Sequence, residues 1–172
     1  LDADVDSIDA HSGVMSVADA VTLSTTNGSG SITLNAEGGI SAAGDLSVIS
    51  IDDLTINDDL TTSGTTILTA DSDGLGDGNL TLAASKTIDT NENTATLTAS
   101  DIVLGGSLTT GAAALNLLVS DGGTIGLGDT DKDFDLTGAE LSRITAGDVQ
   151  IGDSSSSDIT VDNITALNSD GM

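Results

Sequence analysis

The segment Asp71–Asn79 carries the residues best suited to chemistry. It reads Asp-Ser-Asp-Gly-Leu-Gly-Asp-Gly-Asn, so that oxygen-bearing side chains at Asp71, Asp73, Asp77 and Asn79 are interleaved with glycines. Calcium takes six to eight oxygen ligands, and glycines let a backbone fold round an ion. The segment is not an EF-hand, because the twelfth position from Asp71 is leucine rather than glutamate. The spacing predicts a calcium loop; the alternative is a solvated turn.

A second acidic run offers a weaker candidate. Four carboxylates alternate with other residues at Asp129, Asp131, Asp133 and Asp135. On a strand they would share one face and repel one another unless a cation intervened. The alternative is a loop held in solvent. The adjacent pairs Asp52-Asp53 and Asp58-Asp59 are weaker still, because neighbouring strand residues face opposite sides.

Residues for catalysis are scarce. His11 is the only histidine, there is no cysteine, and neither tryptophan nor tyrosine is present to stack on a sugar. A carbohydrate-active β-helix could use paired aspartates as general acid and base. The histidine and basic motifs of such enzymes are missing. We therefore expect no catalytic residues and no enzymatic activity.

The elements that would position these residues are short strands. Runs of aliphatic residues alternate with Thr, Ser or Asp and are separated by Gly, Asn, Asp and Ser. This period of two predicts strands with Leu, Ile and Val inward and Thr, Ser and Asp outward. The predicted strands are 20–24, 31–36, 46–51, 53–57, 65–70, 79–83, 94–99, 101–104, 114–119, 123–127, 133–136, 148–151 and 158–162.

With one aromatic residue in 172, the chain cannot build a core from rings. It can build one from similar small coils, each buried by its neighbours. The spacings from Ile32 to Leu54, from Leu54 to Leu80 and from Leu97 to Leu115 indicate a coil of about 20–25 residues. We predict an all-β fold, a parallel β-helix of about seven or eight coils, over residues 1–172 as one domain.

One segment has the signature of a helix. Thr137 and Glu140 match a capping box, in which Ser or Thr is followed three residues later by Glu. Gly147 could end the helix. We expect a short helical insertion near 138–144 between coils; the alternative is a plain loop.

The charge limits the partners. The formal net charge is −25, with 28 acidic residues against three Lys and Arg, and only Glu37, Glu92 and Glu140 are glutamates. Short Asp side chains suit turns. Three cations cannot form a patch for nucleic acid or an anionic membrane. No run approaches the roughly 20 apolar residues of a membrane span. The electrostatic field of such a negative chain favours surroundings that contain salt or divalent cations to screen it.

Two segments resemble those of filamentous-haemagglutinin-like large exoproteins. They are Asp135–Asp153 with Ser157–Val161, and Ser31–Ala36 with Gly38–Leu46. The loop at Asp71 is also similar to the calcium loops of thrombospondin-type repeats. The first resemblance implies a right-handed parallel β-helix, exported as part of a very long rod on the bacterial surface. The Asn-Pro motifs of the family are absent, since the chain has no proline.

The expected role is structural. We interpret the chain as an internal segment of a longer extracellular adhesin or surface filament. It is expected to form a rigid acidic rod that requires no cofactor, with calcium as the one candidate ligand. Expected partners are other copies, end to end or side by side, and host, neighbouring-cell or matrix surfaces. The rival roles are a calcium-ordered surface-layer, sheath or biofilm matrix protein and, with less support, a carbohydrate-active β-helix.

Overall fold

The computed structural model describes residues 13–172, in which short parallel strands predominate (44% strand, 5% helix). His11 lies outside the described residues. The strands are β1 (Met15–Val17), β2 (Val21–Ser24), β3 (Ile32–Leu34), β4 (Ile40–Ala42), β5 (Leu46–Ile49), β6 (Leu54–Ile56), β7 (Leu60–Thr62), β8 (Thr66–Thr69), β9 (Asn79–Leu82), β10 (Thr87–Asp89), β11 (Ala95–Ala99), β12 (Asp101–Leu104), β13 (Ser107–Thr109), β14 (Ala114–Val119), β15 (Ile125–Gly128), β16 (Phe134–Leu136), β17 (Ile144–Thr145), β18 (Asp148–Ile151) and β19 (Ile159–Asp162). The helices are α1 (Gly138–Leu141) and α2 (Ala166–Ser169).

The strands stack into three walls. The first wall is the sheet β1-β4-β7-β10-β13-β17, and the second is β2-β5-β8-β11-β14-β18. The third combines the sheet β3-β6-β9-β12 with the sheet β16-β15-β19. All the pairings are parallel, and the chain visits the three walls in turn. The arrangement is consistent with the predicted β-solenoid.

The register places like residues above one another. Ile32 pairs with Leu54 and Leu54 with Leu80, which confirms the first two predicted spacings. Leu97 pairs with Leu117, not with Leu115, so the third spacing is wrong by two residues. A shift of two keeps the same face of the strand inward, and the aliphatic column is preserved.

The first wall is absent from the sequence-based strand list. Every predicted strand overlaps an observed strand of the second or third wall, whereas β1, β4, β7, β10, β13 and β17 were not predicted. These strands have two or three residues each, and Ser107-Leu108-Thr109 offers a single inward aliphatic side chain. In β7, β10, β13 and β17 a single inward apolar residue cannot establish a period of two. Strands β1 and β4 have two each, but they are only three residues long.

The interior is almost wholly aliphatic. The core is a single cluster of Leu, Ile, Val and Ala side chains with the one aromatic ring, Phe134. Some threonines also face inward, contrary to the predicted alternation. Thr62 and Thr66 are fully buried and share a hydrogen bond of 2.6 Å, and the Thr110 hydroxyl donates to the carbonyl of Ala113 at 2.8 Å. These hydroxyls lie where the first wall turns into the second. They satisfy the hydrogen-bonding needs of one another and of a backbone carbonyl inside the corner.

Aspartates at the corners link one layer to the next. Their carboxylates accept backbone N–H groups from the following layer at 2.8–2.9 Å. The pairs are Asp19 with Asp45 N, Asp45 with Thr65 N, Asp53 with Asn79 N and Asp59 with Thr87 N. A carboxylate on a single methylene reaches the adjacent layer without losing much rotamer freedom. This contact gives the excess of Asp over Glu a structural reason beyond turn formation.

The predicted helical insertion is present but shorter than expected. Helix α1 begins after Thr137, whose hydroxyl accepts from the N–H of Glu140 while the Glu140 carboxylate accepts from the Thr137 N–H. This confirms the capping box. The helix ends at Leu141 with Ser142 as its C-cap, so Gly147 does not end it. Neither helix in residues 13–172 is long and apolar enough to cross a membrane.

Side chains fasten this insertion to β12. The Asp101 carboxylate accepts from the N–H of Asp135 at 3.0 Å. Glu140 accepts from the N–H of Leu104 at 3.0 Å, and Arg143 donates to the Leu104 carbonyl at 2.5 Å. β16 thus lies against β12 through side-chain contacts, before β15 and β19 continue the wall.

The free energy of unfolding of Asp101→Asn, relative to that of the wild type, is expected to increase as the pH rises. Burial raises the pKa of Asp101 above its ordinary value of about 3.8, hydrogen bonds from the N–H groups of Asp135 and Ile102 oppose this, and the charges of Glu140 and Asp135 add to it. A raised pKa means that the folded state holds the proton more tightly than the unfolded state. The contribution of Asp101 to stability is therefore complete at low pH and decreases as the pH rises through its folded-state pKa.

Asparagine keeps the carbonyl acceptor for Asp135 and does not titrate. Urea unfolding of both proteins between pH 3.5 and 7 measures the difference, with Asp131→Asn, an exposed loop position, as the control. A difference between Asp101→Asn and the wild type that does not change with pH would contradict this assignment.

Candidate metal site at the acidic corner

The Asp71–Asn79 loop leaves the second wall after β8 and enters the third wall at β9. Asp71 is buried, with a φ of +54°, and its carboxylate turns back into its own loop. It accepts from the N–H groups of Leu75 and Gly76, each at 3.1 Å. It also accepts from the hydroxyl of Ser120, which follows β14. Asp71 therefore organises the loop and ties it to a layer farther along the stack.

Two glycines make the loop conformation possible. Gly74 and Gly76 have φ values of +69° and +82°, which favour glycine. A Cβ on Gly76 would lie 2.8 Å from a carboxylate oxygen of Asp121. The loop thus packs closely against the corner after β14. The layer between the two has only a short connection, from β11 to β12, at this corner.

Three of the predicted ligands come together. Asp71, Asp73 and Asp77 each offer a carboxylate oxygen, and these oxygens all lie within 4.8 Å of one another. Asp71 is buried and the other two are exposed. Such a group could supply part of the oxygen shell of a hard cation such as calcium, and solvent or backbone oxygens would complete it. This grouping follows the spacing identified in the sequence.

The fourth predicted ligand lies at the far end of the loop. Asn79 is the first residue of β9, and its backbone N–H donates to the carboxylate of Asp53 at 2.9 Å. Its side chain is exposed. Asn79 is thus placed by the β-ladder, in register with Asp101, whereas the three carboxylates are placed by the loop.

Asp52 belongs to the same cluster, the acidic corner of Asp52, Asp71, Asp73 and Asp77, although its position in the sequence does not indicate this. It lies between β5 and β6, one layer from the loop, and is partly buried. Burial raises the pKa of Asp52, as do the negative charges of Asp77, Asp73, Asp53 and Asp71, in decreasing order. Asp52, Asp73 and Asp77 line an open groove that also includes Leu75 and the turn at Asn27. Stacking, not sequence proximity, brings Asp52 here.

The second acidic run does not gather its carboxylates. Residues 129–133 form the loop between β15 and β16, which agrees with the alternative of a loop rather than a strand. Of the four aspartates, only Asp135 lies on a strand. Asp129 accepts from the side-chain amide of Asn163 at 2.8 Å. Asp133 accepts from the hydroxyl of Thr124 at 2.7 Å, and this bond with that from the Thr124 N–H lowers the pKa of Asp133. Asp131 is exposed.

The loop 129–133 crosses the outer face of β15 at Gly126. A Cβ there would lie 1.9 Å from the Thr130 hydroxyl and 2.2 Å from an Asp135 carboxylate oxygen. The absence of a side chain at Gly126 allows this close approach. Thr130 in turn donates a hydrogen bond to Asp135. These carboxylates therefore have structural partners that hold the loop in place.

Asp58 has a cationic partner. The Lys86 ammonium donates to the Asp58 carboxylate at 2.6 Å, and this hydrogen bond is the main reason that the pKa of Lys86 is raised. Asp58 is buried, and Asp59 beside it accepts from the N–H of Thr87. Asp58 and Asp59 thus both stabilise the corner between the third and first walls.

Comparison with protein-family models, with curated proteins and with solved structures found no match to this chain.

Proposed function

We propose that this chain is a rigid, acidic structural segment of a long extracellular bacterial adhesin or surface filament. The observation that carries the proposal is the stack itself, in which parallel walls with a shared aliphatic interior run through the described residues. Each layer contacts chiefly its neighbours, so length can be added without redesigning a core. The proposed role is mechanical rather than catalytic.

The finer features of the fold belong to this proposal. We expect right-handed winding, because right-handed crossovers strongly predominate between parallel strands. We also expect seven or eight coils, whereas the two longer sheets have six strands each within residues 13–172. Electron cryomicroscopy of the purified rod would measure both the hand and the number of layers.

The resemblance to filamentous-haemagglutinin-like exoproteins supports a surface location and a reach away from the cell. The excess negative charge keeps separate rods apart and soluble. Expected partners are host, neighbouring-cell or matrix surfaces, as well as other copies of the chain. Nucleic acid is not an expected partner.

Antibodies raised against the purified chain test the proposal on the source cells. Labelling of intact cells, lost after brief external protease treatment, is the expected result, with electron microscopy showing extended structures that carry the label. Label that appears only after the cells are made permeable would contradict an extracellular role.

A second candidate function is a calcium-ordered surface layer, sheath or biofilm matrix. The grouping of Asp71, Asp73 and Asp77 favours it, since their oxygens lie within 4.8 Å of one another. Calcium bound there would neutralise an acidic corner and could let neighbouring rods approach side by side.

Calcium is expected to raise the melting temperature of the wild-type chain and to lose this effect in the double variant Asp73→Asn with Asp77→Asn. A ligand that binds only the folded state at 100 times its dissociation constant adds about 2.7 kcal/mol to the free energy of unfolding. Melting followed by circular dichroism, and isothermal titration with calcium, measure the effect. Both replaced residues are exposed, so the variant should keep the fold.

Asp131→Asn is the matched control, because it removes an exposed carboxylate from the other acidic run. A calcium effect that persists in the double variant would place the ion elsewhere. Rods or bundles seen by electron microscopy with calcium, and dispersed by chelator, would support the layer role; an image unchanged by chelator would count against it.

A further inference from the structure

The turn between β2 and β3 is closed at its base. The Thr25 hydroxyl donates to the carbonyl of Gly30 at 3.0 Å. The N–H of Ile51, in the next layer, donates to the Thr25 hydroxyl at 2.9 Å and to the Gly30 carbonyl at 3.1 Å. A Cβ on Gly30 would lie 2.8 Å from the Cβ of Thr25, so the two ends of the turn are in close contact. The four residues between them form the tip of the turn.

The tip, residues 26–29, has few restraints. All four residues are exposed. Gly28 has a φ of +65°, and a Cβ on it would have no neighbour within 4 Å. Its N–H has no hydrogen-bond acceptor among residues 13–172. In the described part of the chain, the Asn27 side-chain amide donates only to the adjacent Thr26 hydroxyl, at 3.3 Å. The Asn27 side chain and the Gly28 N–H are therefore free to approach each other.

An asparagine beside a free backbone nitrogen can lose its side-chain amide. The nitrogen of the following residue attacks the side-chain carbonyl carbon, so that a nitrogen–carbon bond forms, the bond from that carbon to Nδ2 breaks and ammonia leaves. Water then opens the resulting succinimide ring at either of its carbonyl groups, which gives aspartate or isoaspartate. The net reaction converts an amide and water into a carboxylate and ammonium. Glycine in the attacking position favours ring closure, because it has no Cβ and permits a wide range of backbone angles.

We propose that Asn27 deamidates spontaneously in the folded protein, and that the product adds a carboxylate to the groove lined by Asp52, Asp73 and Asp77. Asn27 and Gly28 line this groove together with the three aspartates. The reaction needs no enzyme, and water is its only co-reactant. It goes beyond the proposed structural role and does not depend on it.

Asn27 differs from the other asparagines in both sequence and structure. It is the only asparagine of the chain that is followed by glycine. The side-chain amide of Asn91 donates to the Thr62 carbonyl at 2.8 Å, and that of Asn163 donates to the Asp129 carboxylate at 2.8 Å. Such bonds hold the side chain away from the following backbone nitrogen. We therefore expect the reaction at Asn27 before any other asparagine.

Conversion would change the charge of the acidic corner. Burial and the negative charges of nearby aspartates, Asp77 and Asp73 foremost, already raise the pKa of Asp52. A further carboxylate at residue 27 would raise this pKa again, because like charges disfavour the ionised form. The acidity of the groove would thus increase with the age of the protein.

Peptide mapping of the full chain, aged at mildly alkaline pH both folded and in guanidinium chloride, tests the reaction. Cleavage before aspartate releases residues 19–44, which contain Asn27, Asn35 and no other asparagine. Conversion to aspartate creates a new cleavage site before residue 27, whereas isoaspartate gives only the mass increase of deamidation. Folded Asn27 should convert within about threefold of its rate in the unfolded chain, since exposed loop tips open at almost no cost in free energy. Asn35 is the internal control, because it is half-buried and is followed by the fully buried Ala36.

Two variants test the attacking residue and the place of the product. Gly28→His should largely lose the fragment that begins at residue 27, because histidine tolerates a positive φ better than most residues but carries a Cβ that hinders attack. Asn27→Asp should show an upward shift in the pKa of Asp52, measured by nuclear magnetic resonance of the carboxyl carbons. Asn57→Asp is the matched control, since Asn57 is an exposed asparagine at a different corner, between β6 and β7.

Three results would overturn the proposed reaction. They are an Asn27 that stays intact in the folded chain while it converts in guanidinium chloride, equal rates at Asn27 and Asn35 in the folded chain, and undiminished conversion in Gly28→His. A pKa of Asp52 that is the same in Asn27→Asp as in Asn57→Asp would overturn the placement of the new carboxylate in the groove.

Discussion

Phe134→Ala should lower the free energy of unfolding by about 3–5 kcal/mol, the range for removing a buried aromatic ring. Phe134 is the only aromatic residue of the chain and is fully buried. It opens β16, the strand that lies between β12 and β15, and it pairs in register with Ile125. An alanine would leave a cavity that surrounding short strands, tied by their backbone hydrogen bonds, cannot close.

Urea unfolding followed by far-ultraviolet circular dichroism measures this loss, since the chain has no tryptophan to report by fluorescence. Leu167→Ala is the control, because that side chain is 77% exposed. Phe134→Leu should restore much of the stability, as substitutions that nearly conserve volume usually cost less than about 1.5 kcal/mol. A loss below about 1 kcal/mol for Phe134→Ala would show that the ring does not fill the interior at this layer.

Leu97→Ala should lower the free energy of unfolding by about 2–5 kcal/mol. It should also let the two halves of the stack unfold less cooperatively. Leu97 is fully buried in β11, between Leu68 of β8 and Leu117 of β14. A layered protein depends on contacts between neighbours, so a cavity in a central layer weakens the coupling of the two halves. We therefore expect a broader unfolding transition as well as a lower midpoint.

Calorimetry of Leu97→Ala, together with hydrogen exchange of β5 and β18, separates these effects. Strands on the two sides of the cavity should exchange at different rates in the variant and at similar rates in the wild type. Leu75→Ala removes the same group from a side chain that is 75% exposed, and should leave both measurements unchanged. A lower midpoint with an equally sharp transition would mean that the stack unfolds as one unit even when a layer is weakened.

The second and third walls could be predicted from sequence because most of their strands carry two or more inward aliphatic residues. Leu115 and Leu117 of β14 flank an outward Asn116, and that alternation is visible in the chain. Most strands of the first wall could not be predicted in this way. A strand such as Thr87-Ile88-Asp89 has one inward side chain, and its identity as a strand depends on the strands that pair with it on both sides.

The residues of the acidic corner also differ in whether the sequence could predict them. Asp71, Asp73 and Asp77 were identified because a single loop holds them, so their spacing along the chain reflects their spacing in space. Asp52 and Ser120 belong to other layers, and only the register of the stack brings them to this loop. An alignment of consecutive coils that included the first wall would have been the signal that could find them.

The insertion at β16 has a geometric consequence for the path of the rod. Within residues 13–172, the first and second walls contain six strands each, whereas the two sheets of the third wall contain four and three. Neighbouring strands are about 4.8 Å apart, so the third wall is longer by about one such step over the same layers. An extra strand in one wall only favours a tilt of the layers beyond the insertion, away from the third wall. In a longer rod with such insertions at regular intervals, the tilt would recur in the same sense. The axis of that rod would then trace a superhelix, with a pitch set by the number of layers between one insertion and the next.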